Sequence, residues 1–247
     1  MRRFIIRLRS YLFLALYAGF TTLFSLLAVP FVPFLPYKAR LNTILIWNRV
    51  VLFLARWVCG IRYRVHGLEN LRKTPYVAIS KHQSAWETFV LLIILRPVSI
   101  ILKKELLSIP GFGWGLRLLK PIPIDRESPR QAIRDVREKG LQRLTEENMA
   151  VLVFPEGTRV APGETGKYAR SGASLAIDAG VPVVFISHNA GYFWPSTHLL
   201  KYPGTIDLYI SAPISSEGRD AGDLTRQAQE WIEQHIVVPE PKPHHYH

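Results

Sequence analysis

The sequence predicts an α/β fold, a mostly parallel sheet covered by helices, preceded by an N-terminal two-helix membrane-associated motif. Three observations carry the prediction. Past Gly60, short runs rich in Val and Ile alternate with longer amphipathic stretches, the pattern of a parallel sheet covered on both faces. Residues 11–35 contain no charged side chain, enough length to span a hydrocarbon core. The 247 residues are 48% hydrophobic, which excludes a disordered chain and fits one sizeable domain with an appendage.

The elements follow in order. The uncharged run at 11–35 is preceded by Arg2, Arg3, Arg7 and Arg9, and prolines at 30, 33 and 36 end its helix. It is too long for a signal peptide and has no small-residue cleavage site after it. The second stretch, residues 41–58, carries Arg49 and Arg56 with Trp47 and Trp57 near its ends, which suits a helix at the headgroup level better than one crossing the core. Residues 1–60 therefore read as a membrane-associated helical hairpin, residues 61–236 as the α/β domain and residues 237–247 as a flexible tail. Arginines and lysines flank the first run on both sides, so the positive-inside count leaves two topologies open: a hairpin that stays on one side, or a single span. A buried core hairpin is the competing reading.

In the domain, strands are expected at 76–80, 99–102, 122–125, 151–154, 181–186 and 206–210. Helices are expected at 85–95, 106–119 with a Gly-rich interruption, 129–147, 168–179 and 220–235. The helix at 129–147 has Ser128 as N-cap, Pro129 at its first position and an apolar stripe of Ala132, Ile133, Val136, Leu141 and Leu144.

Charge narrows the function. Lys and Arg number 31 against 19 Asp and Glu, a formal net charge of +12, which calls for an anionic partner: nucleic acid, a membrane surface or a phosphorylated substrate. No interleaved aromatic and basic platform favours nucleic acid, and none is expected as a partner. One cysteine, Cys59, excludes a disulfide framework and a Cys-based zinc cluster. GFGWG lacks the dinucleotide spacing, and there is no G-x-S-x-G elbow, HExxH or P-loop. No metal site and no cofactor are expected.

Two clusters carry chemistry. In KHQSAWET, His82 and Glu87 cannot share a helix face, because neighbours on a helix are three or four apart. They meet only if His82 sits in the loop after its strand and Glu87 in the first turn of the next helix, where the dipole keeps a carboxylate ionised. Glu87 would then accept the Nδ1–H of His82 and leave Nε2 as a general base. On spacing alone, a surface histidine near a helix start is the better explanation, because His-x4-Glu is common by chance. The second cluster, FPEGTR at 154–159, follows a strand and so falls at the sheet edge where open α/β folds bind ligands. Gly157 permits a sharp turn, and Arg159 offers a planar fork for phosphate. An ordinary turn with a surface ion pair competes here. Lys103 and Arg126 end two further strands.

Together these residues resemble the glycerolipid acyltransferases of the 1-acyl-sn-glycerol-3-phosphate acyltransferase family. Four blocks match in order over most of the chain: HQSAWE against the family's His-x4-Asp, PIPIDR ending in Arg126 with Lys103 upstream in KKEL, FPEGTR in full, and the strand VPVVFI at 181–186. The departure is Glu87 in place of aspartate, which keeps the carboxylate but lengthens it by one methylene. The resemblance implies transfer of a fatty acyl group from coenzyme A or acyl carrier protein to the sn-2 hydroxyl of a lysophospholipid, 1-acylglycerol-3-phosphate, to give phosphatidic acid. It implies His82 as base, Glu87 as its orienting acid, and Lys103, Arg126 and Arg159 as ligands of the acceptor's phosphate. Glu156, Gly157 and Thr158 are assigned to substrate binding or site structure, with Glu156 holding Arg159 or the glycerol hydroxyls. Membrane lipids are expected partners, and in a bacterium the place would be the cytoplasmic face of the inner or plasma membrane.

Overall fold

The computed structural model describes residues 1–71, 75–125 and 127–240, with Arg2 described by its backbone only. Among the described residues, seven strands form one sheet: β1 (Ile61–His66), β2 (Val77–Ser80), β3 (Val98–Lys103), β4 (Ile122–Ile124), β5 (Ala150–Val153), β6 (Val183–His188) and β7 (Gly204–Ile210). Their spatial order is β1-β7-β6-β2-β5-β3-β4, and every adjacent pair is parallel except β6 with β7. The expected mostly parallel sheet is therefore present. β2, β5 and β6 are buried on both faces, as continuous apolar runs in the middle of a covered sheet must be.

The strand missing from the expectation is β1. Its apolar residues Ile61, Tyr63 and Val65 alternate with Arg62, Arg64 and His66, a period-2 pattern at an edge with three consecutive exposed positions. A sheet-edge strand carries more charge than the Val/Ile runs of the centre, so a search for such runs passes over it.

The described residues form seven α-helices: α1 (Arg2–Leu27), α2 (Tyr37–Cys59), α3 (Trp86–Ile94), α4 (Phe112–Arg117), α5 (Pro129–Leu141), α6 (Ser171–Ala179) and α7 (Ala221–Gln234). The expected helix at 106–119 is broken into a 3₁₀ turn, Lys104–Ser108, and the short α4. Gly111, at φ +71°, makes the break, in a conformation that side-chain-bearing residues avoid. α5 starts where Ser128 and Pro129 predict, although the Ser128 hydroxyl makes no capping bond, and its last turns relax into a π-helical stretch at Gln142–Glu146.

Packing joins the first two helices to the domain. α2 buries Leu41, Ile44, Leu45, Asn48, Val51, Leu52, Ala55 and Cys59, a stripe at helical spacing that packs on α3. The same hydrophobic core continues through Trp86, Leu91, Leu95 and Leu152 to Ile186 and Leu208. α1 touches the domain along a narrower line through Ile6, Ser10 and Phe13 and leaves Phe4, Leu8, Leu12, Leu23 and Leu27 exposed. Both helices are long and apolar enough to cross a membrane.

Candidate active site

Parallel pairing of β2 with β5, β5 with β3 and β3 with β4 lines up the C-terminal ends of four strands along one edge of the sheet. The loops that leave those ends carry His82, the 154–159 segment and Lys103. Arg126, at the end of the fourth strand, lies outside the described residues. Sequence separation of more than seventy residues between His82 and Arg159 is thus closed by strand order alone.

β2 ends at Ser80, and residues 81–84 form an irregular bend before α3. The bend is fixed by reciprocal capping. The Ser84 hydroxyl accepts the Trp86 N–H at 3.1 Å, and Glu87 Oε1 reaches back to accept the N–H groups of Ser84 at 2.8 Å and Gln83 at 3.1 Å. The same oxygen lies 2.9 Å from His82 Nδ1. His82 is therefore in the loop and Glu87 in the first helical turn, as the pairing requires. The Ser-x-x-Glu pattern at 84–87 was the sequence signal for this reach-back, and the longer glutamate serves cap and dyad from one oxygen.

Burial of the Glu87 side chain is complete, and burial alone would raise its pKa. The His188 ring, the His82 hydrogen bond and the Ser84 amide outweigh that and hold the carboxyl below its ordinary range. Burial pushes His188 itself down, toward the neutral form, so the His82 bond and the amides carry the weight. The imidazole of His82 stacks on Phe154, with ring centroids 4.1 Å apart and planes 18° apart. With Nδ1 turned to Glu87, Nε2 is the ring nitrogen left for chemistry.

The FPEGTR segment and Val160 after it are tied to the same bend at three points. Glu156 Oε2 accepts the His82 N–H at 2.7 Å, the His82 carbonyl accepts the Val160 N–H at 2.9 Å, and Arg159 Nε donates to the Ser84 carbonyl at 3.1 Å. This differs from the sequence expectation for Glu156. Its carboxylate does not hold Arg159 but points inward, with its side chain fully buried, to the His82 amide and the Lys81 ammonium. Gly157 has φ +68°, the left-handed region that turns the chain sharply after Glu156.

The site opens on a cavity of about 370 Å³. His82, Lys103, Gly157 and Arg159 stand on its wall, and the rest is mainly apolar: Phe24 from α1, Val29 from the turn after it, Trp47 from α2, Phe89 from α3, Leu119 and Phe154. Lys103 is half exposed, with Glu105 3.7 Å away. Glu87 stands behind His82, Glu156 beneath it, and the exposed Thr158 is not part of the wall. The wall thus carries two cations and a histidine, and the rest of the lining is suited to a hydrocarbon chain.

Comparison with known proteins gives a consistent result. A family model described as Acyltransferase matches residues 62–189. The chain is 42% identical to the 1-acyl-sn-glycerol-3-phosphate acyltransferase of Pseudomonas aeruginosa over 248 aligned residues, covering 95% of this chain and 96% of that one. It is 31% identical to mouse 1-acyl-sn-glycerol-3-phosphate acyltransferase alpha, covering 85% of this chain and 74% of that one. The crystal structure of the 1-acyl-sn-glycerophosphate acyltransferase PlsC from Thermotoga maritima shares the fold, with a TM-score of 0.69, 24% identity and 94% of each chain covered.

Proposed function

The chain belongs to the 1-acyl-sn-glycerol-3-phosphate acyltransferase family, and from that premise we propose that it transfers a fatty acyl group from an acyl thioester to the sn-2 hydroxyl of 1-acylglycerol-3-phosphate. One observation carries the mechanism: His82, paired with Glu87 at 2.9 Å, stands on the wall of an apolar cavity that also carries Arg159. His82 Nε2 removes the acceptor's hydroxyl proton as the oxygen attacks the thioester carbonyl. Glu87 holds the Nδ1–H tautomer and stabilises the imidazolium. Collapse of the tetrahedral intermediate breaks the C–S bond, and the imidazolium returns its proton to the departing thiolate. No covalent acyl-enzyme is required. Phosphatidic acid and a free thiol are the products.

Arg159 and Lys103 bind the acceptor's phosphate, with Arg126 as a third ligand. Arg159 spends one of its five N–H donors on Ser84 and keeps the others for oxyanions. Arg159→Ala is expected to raise the acceptor KM roughly 10- to 100-fold, the worth of a charge-assisted hydrogen bond, and to leave kcat less affected. Initial rates at varied lysophosphatidate concentration measure this.

The apolar cavity takes the acyl chain. A Cβ on Gly115, which lines it, would meet no atom within 4 Å, so a larger side chain there enters open space. Gly115→Leu is expected to lower kcat/KM for long-chain donors about tenfold relative to short ones, since each displaced methylene is worth about 1–3 kcal/mol. A series of acyl-CoA chain lengths tests it.

The outward faces of α1 and α2 hold the site at the bilayer. On them Phe4 and Trp57 are each 69% exposed, and in the connection between the two helices Phe31 is 68% and Phe34 86% exposed, a larger apolar surface than a soluble monomer tolerates. These faces enter the membrane while the inward faces stay on the domain, and the net charge of +12 suits anionic headgroups. The deciding experiment follows thiol release by purified protein in lipid. Release from acyl-CoA or acyl carrier protein that depends on 1-acylglycerol-3-phosphate and yields phosphatidic acid supports the proposal. Release without an acceptor would instead mark a thioesterase.

A further inference from the structure

Lys81, the residue before His82, has no role in the mechanism above, yet its side chain has no solvent exposure at all. Its Nζ lies 2.8 Å from Glu156 Oε1 and 2.7 Å from Glu233 Oε1, and donates to the Glu164 carbonyl at 3.1 Å. Its backbone is pinned as well. The N–H donates to the Ile186 carbonyl at 3.1 Å, and the Lys81 carbonyl lies 3.0 Å from His188 Nε2. Glu233 is in the last turn of α7, far along the chain, and accepts the Tyr168 hydroxyl at 3.0 Å and the Thr165 hydroxyl at 3.3 Å.

A fully buried ammonium cannot greet a phosphate from solvent. It is also a costly feature, because an ion pair in the interior is often no more stable than well-packed apolar residues of the same volume. The geometry shows what the charge does. Glu156 receives Lys81 on Oε1 and the His82 N–H on Oε2, so the cation and the histidine amide share one carboxylate. From Glu233 the connection runs through Lys81 and Glu156 to the backbone of His82.

We infer that Lys81 is a positioning residue, which holds the Glu156 carboxylate against the His82 amide and thereby holds the imidazole between Glu87 and Phe154, and that Glu233 tunes that hold by sharing the Lys81 ammonium. The role rests on the reading of His82 as the base. It places the C-terminal helix α7 in control of the catalytic loop, although α7 does not line the cavity. The groups facing Glu156 are Lys81 and the His82 amide from the bend after β2, Glu233 from α7 and Tyr168 from the segment before α6. Burial raises the Glu156 carboxyl and Glu233 adds to that, while Lys81 and the His82 amide oppose.

The test pairs two variants. Lys81→Met keeps much of the side-chain volume and removes the cation. In the folded variant kcat is expected to fall about 10- to 100-fold with the acceptor KM unchanged, because a slightly misplaced base costs turnover and not phosphate binding. Its kcat profile should shift its acid limb to higher pH, since Glu156 then takes up a proton more readily. Glu233→Gln keeps an acceptor for Tyr168 and gives Lys81 wholly to Glu156, so its acid limb should shift to lower pH. Opposite shifts are not a consequence of general destabilisation. Hydrogen exchange of the 81–87 segment follows the His82 amide without any turnover, and exchange is expected to quicken in Lys81→Met and not in Glu233→Gln. Unchanged exchange and unchanged kcat in folded Lys81→Met would overturn the inference. If Lys81→Met does not fold, an unshifted acid limb in Glu233→Gln overturns it. A wild-type protein without transferase activity would sink the functional reading instead, and exchange would still decide the positioning role.

Discussion

His82→Ala is expected to lower kcat for acyl transfer roughly 10²- to 10⁴-fold, the usual worth of a positioned general base, with the acceptor KM little changed. The argument is geometric. Nδ1 is committed to Glu87 at 2.9 Å, and the ring is clamped face-on to Phe154, so Nε2 has one available orientation. The carbonyl, amide and Lys81 contacts of the bend are made by backbone and by neighbouring residues, and alanine leaves them in place. Arg159 and the apolar cavity are left intact by the substitution, so residual turnover is expected to reflect proximity without proton transfer. Thiol release in the presence of lysophosphatidate, compared at saturating acceptor, measures the loss. A variant that keeps more than a third of wild-type kcat while folded would assign the base elsewhere.

The second large effect is at Glu87. Glu87→Gln is expected to lower kcat by up to about 10⁴-fold, the loss seen when the carboxylate behind a catalytic histidine is neutralised. The amide oxygen of glutamine can still accept the Ser84 and Gln83 N–H groups, so the helix start is retained and thermal stability should change little. What goes is the negative charge that stabilises the imidazolium in the transition state. Glu87→Asp tests reach instead of charge. Glu87 Oε1 gathers three donors at once, and an aspartate one methylene shorter, on the same helix turn, cannot meet all three without moving α3. A smaller loss of kcat, on the order of tenfold to a hundredfold, is expected with a lowered melting temperature. Because Glu87 is held below the ordinary carboxylate range, its charge persists as pH falls through that range, and it does not set the acid limb of activity.

Sequence carried the chemistry of the site further than its architecture. The Val and Ile runs that became β2, β3, β5 and β6 were legible because a strand covered on both faces must be apolar throughout. His82 and Glu87 were legible as a dyad because a strand, a polar bend and an apolar helix lay in the right order for a loop residue to meet a first-turn carboxylate. Arg159 and Gly157 were legible as a guanidinium beside a sharp turn after a strand. β1 was not, because an edge strand alternates charge with apolar residues and lacks a buried run. The Gly-rich interruption of the helix expected at 106–119 was legible, but the 3₁₀ turn that replaces the first part and the positive φ of Gly111 at the break were not, because local composition does not specify a backbone angle.

By itself, then, the order of residues determined which elements form and which of them end in reactive side chains, since helix periods, caps and apolar runs are local properties. Strand order was decided only in three dimensions. The pairing of β2 between β5 and β6 brings His82 to the 154–159 segment, and the place of β3 beside β5 brings Lys103 to both. The inward turn of Glu156 was decided there too. Spacing assigned it to Arg159, but a buried carboxylate goes to whichever donors the fold delivers, and here they are the Lys81 ammonium and the His82 amide. Glu233 enters for the same reason: α7 packs where its last turn meets Lys81, a contact between residues 152 apart that no local pattern encodes.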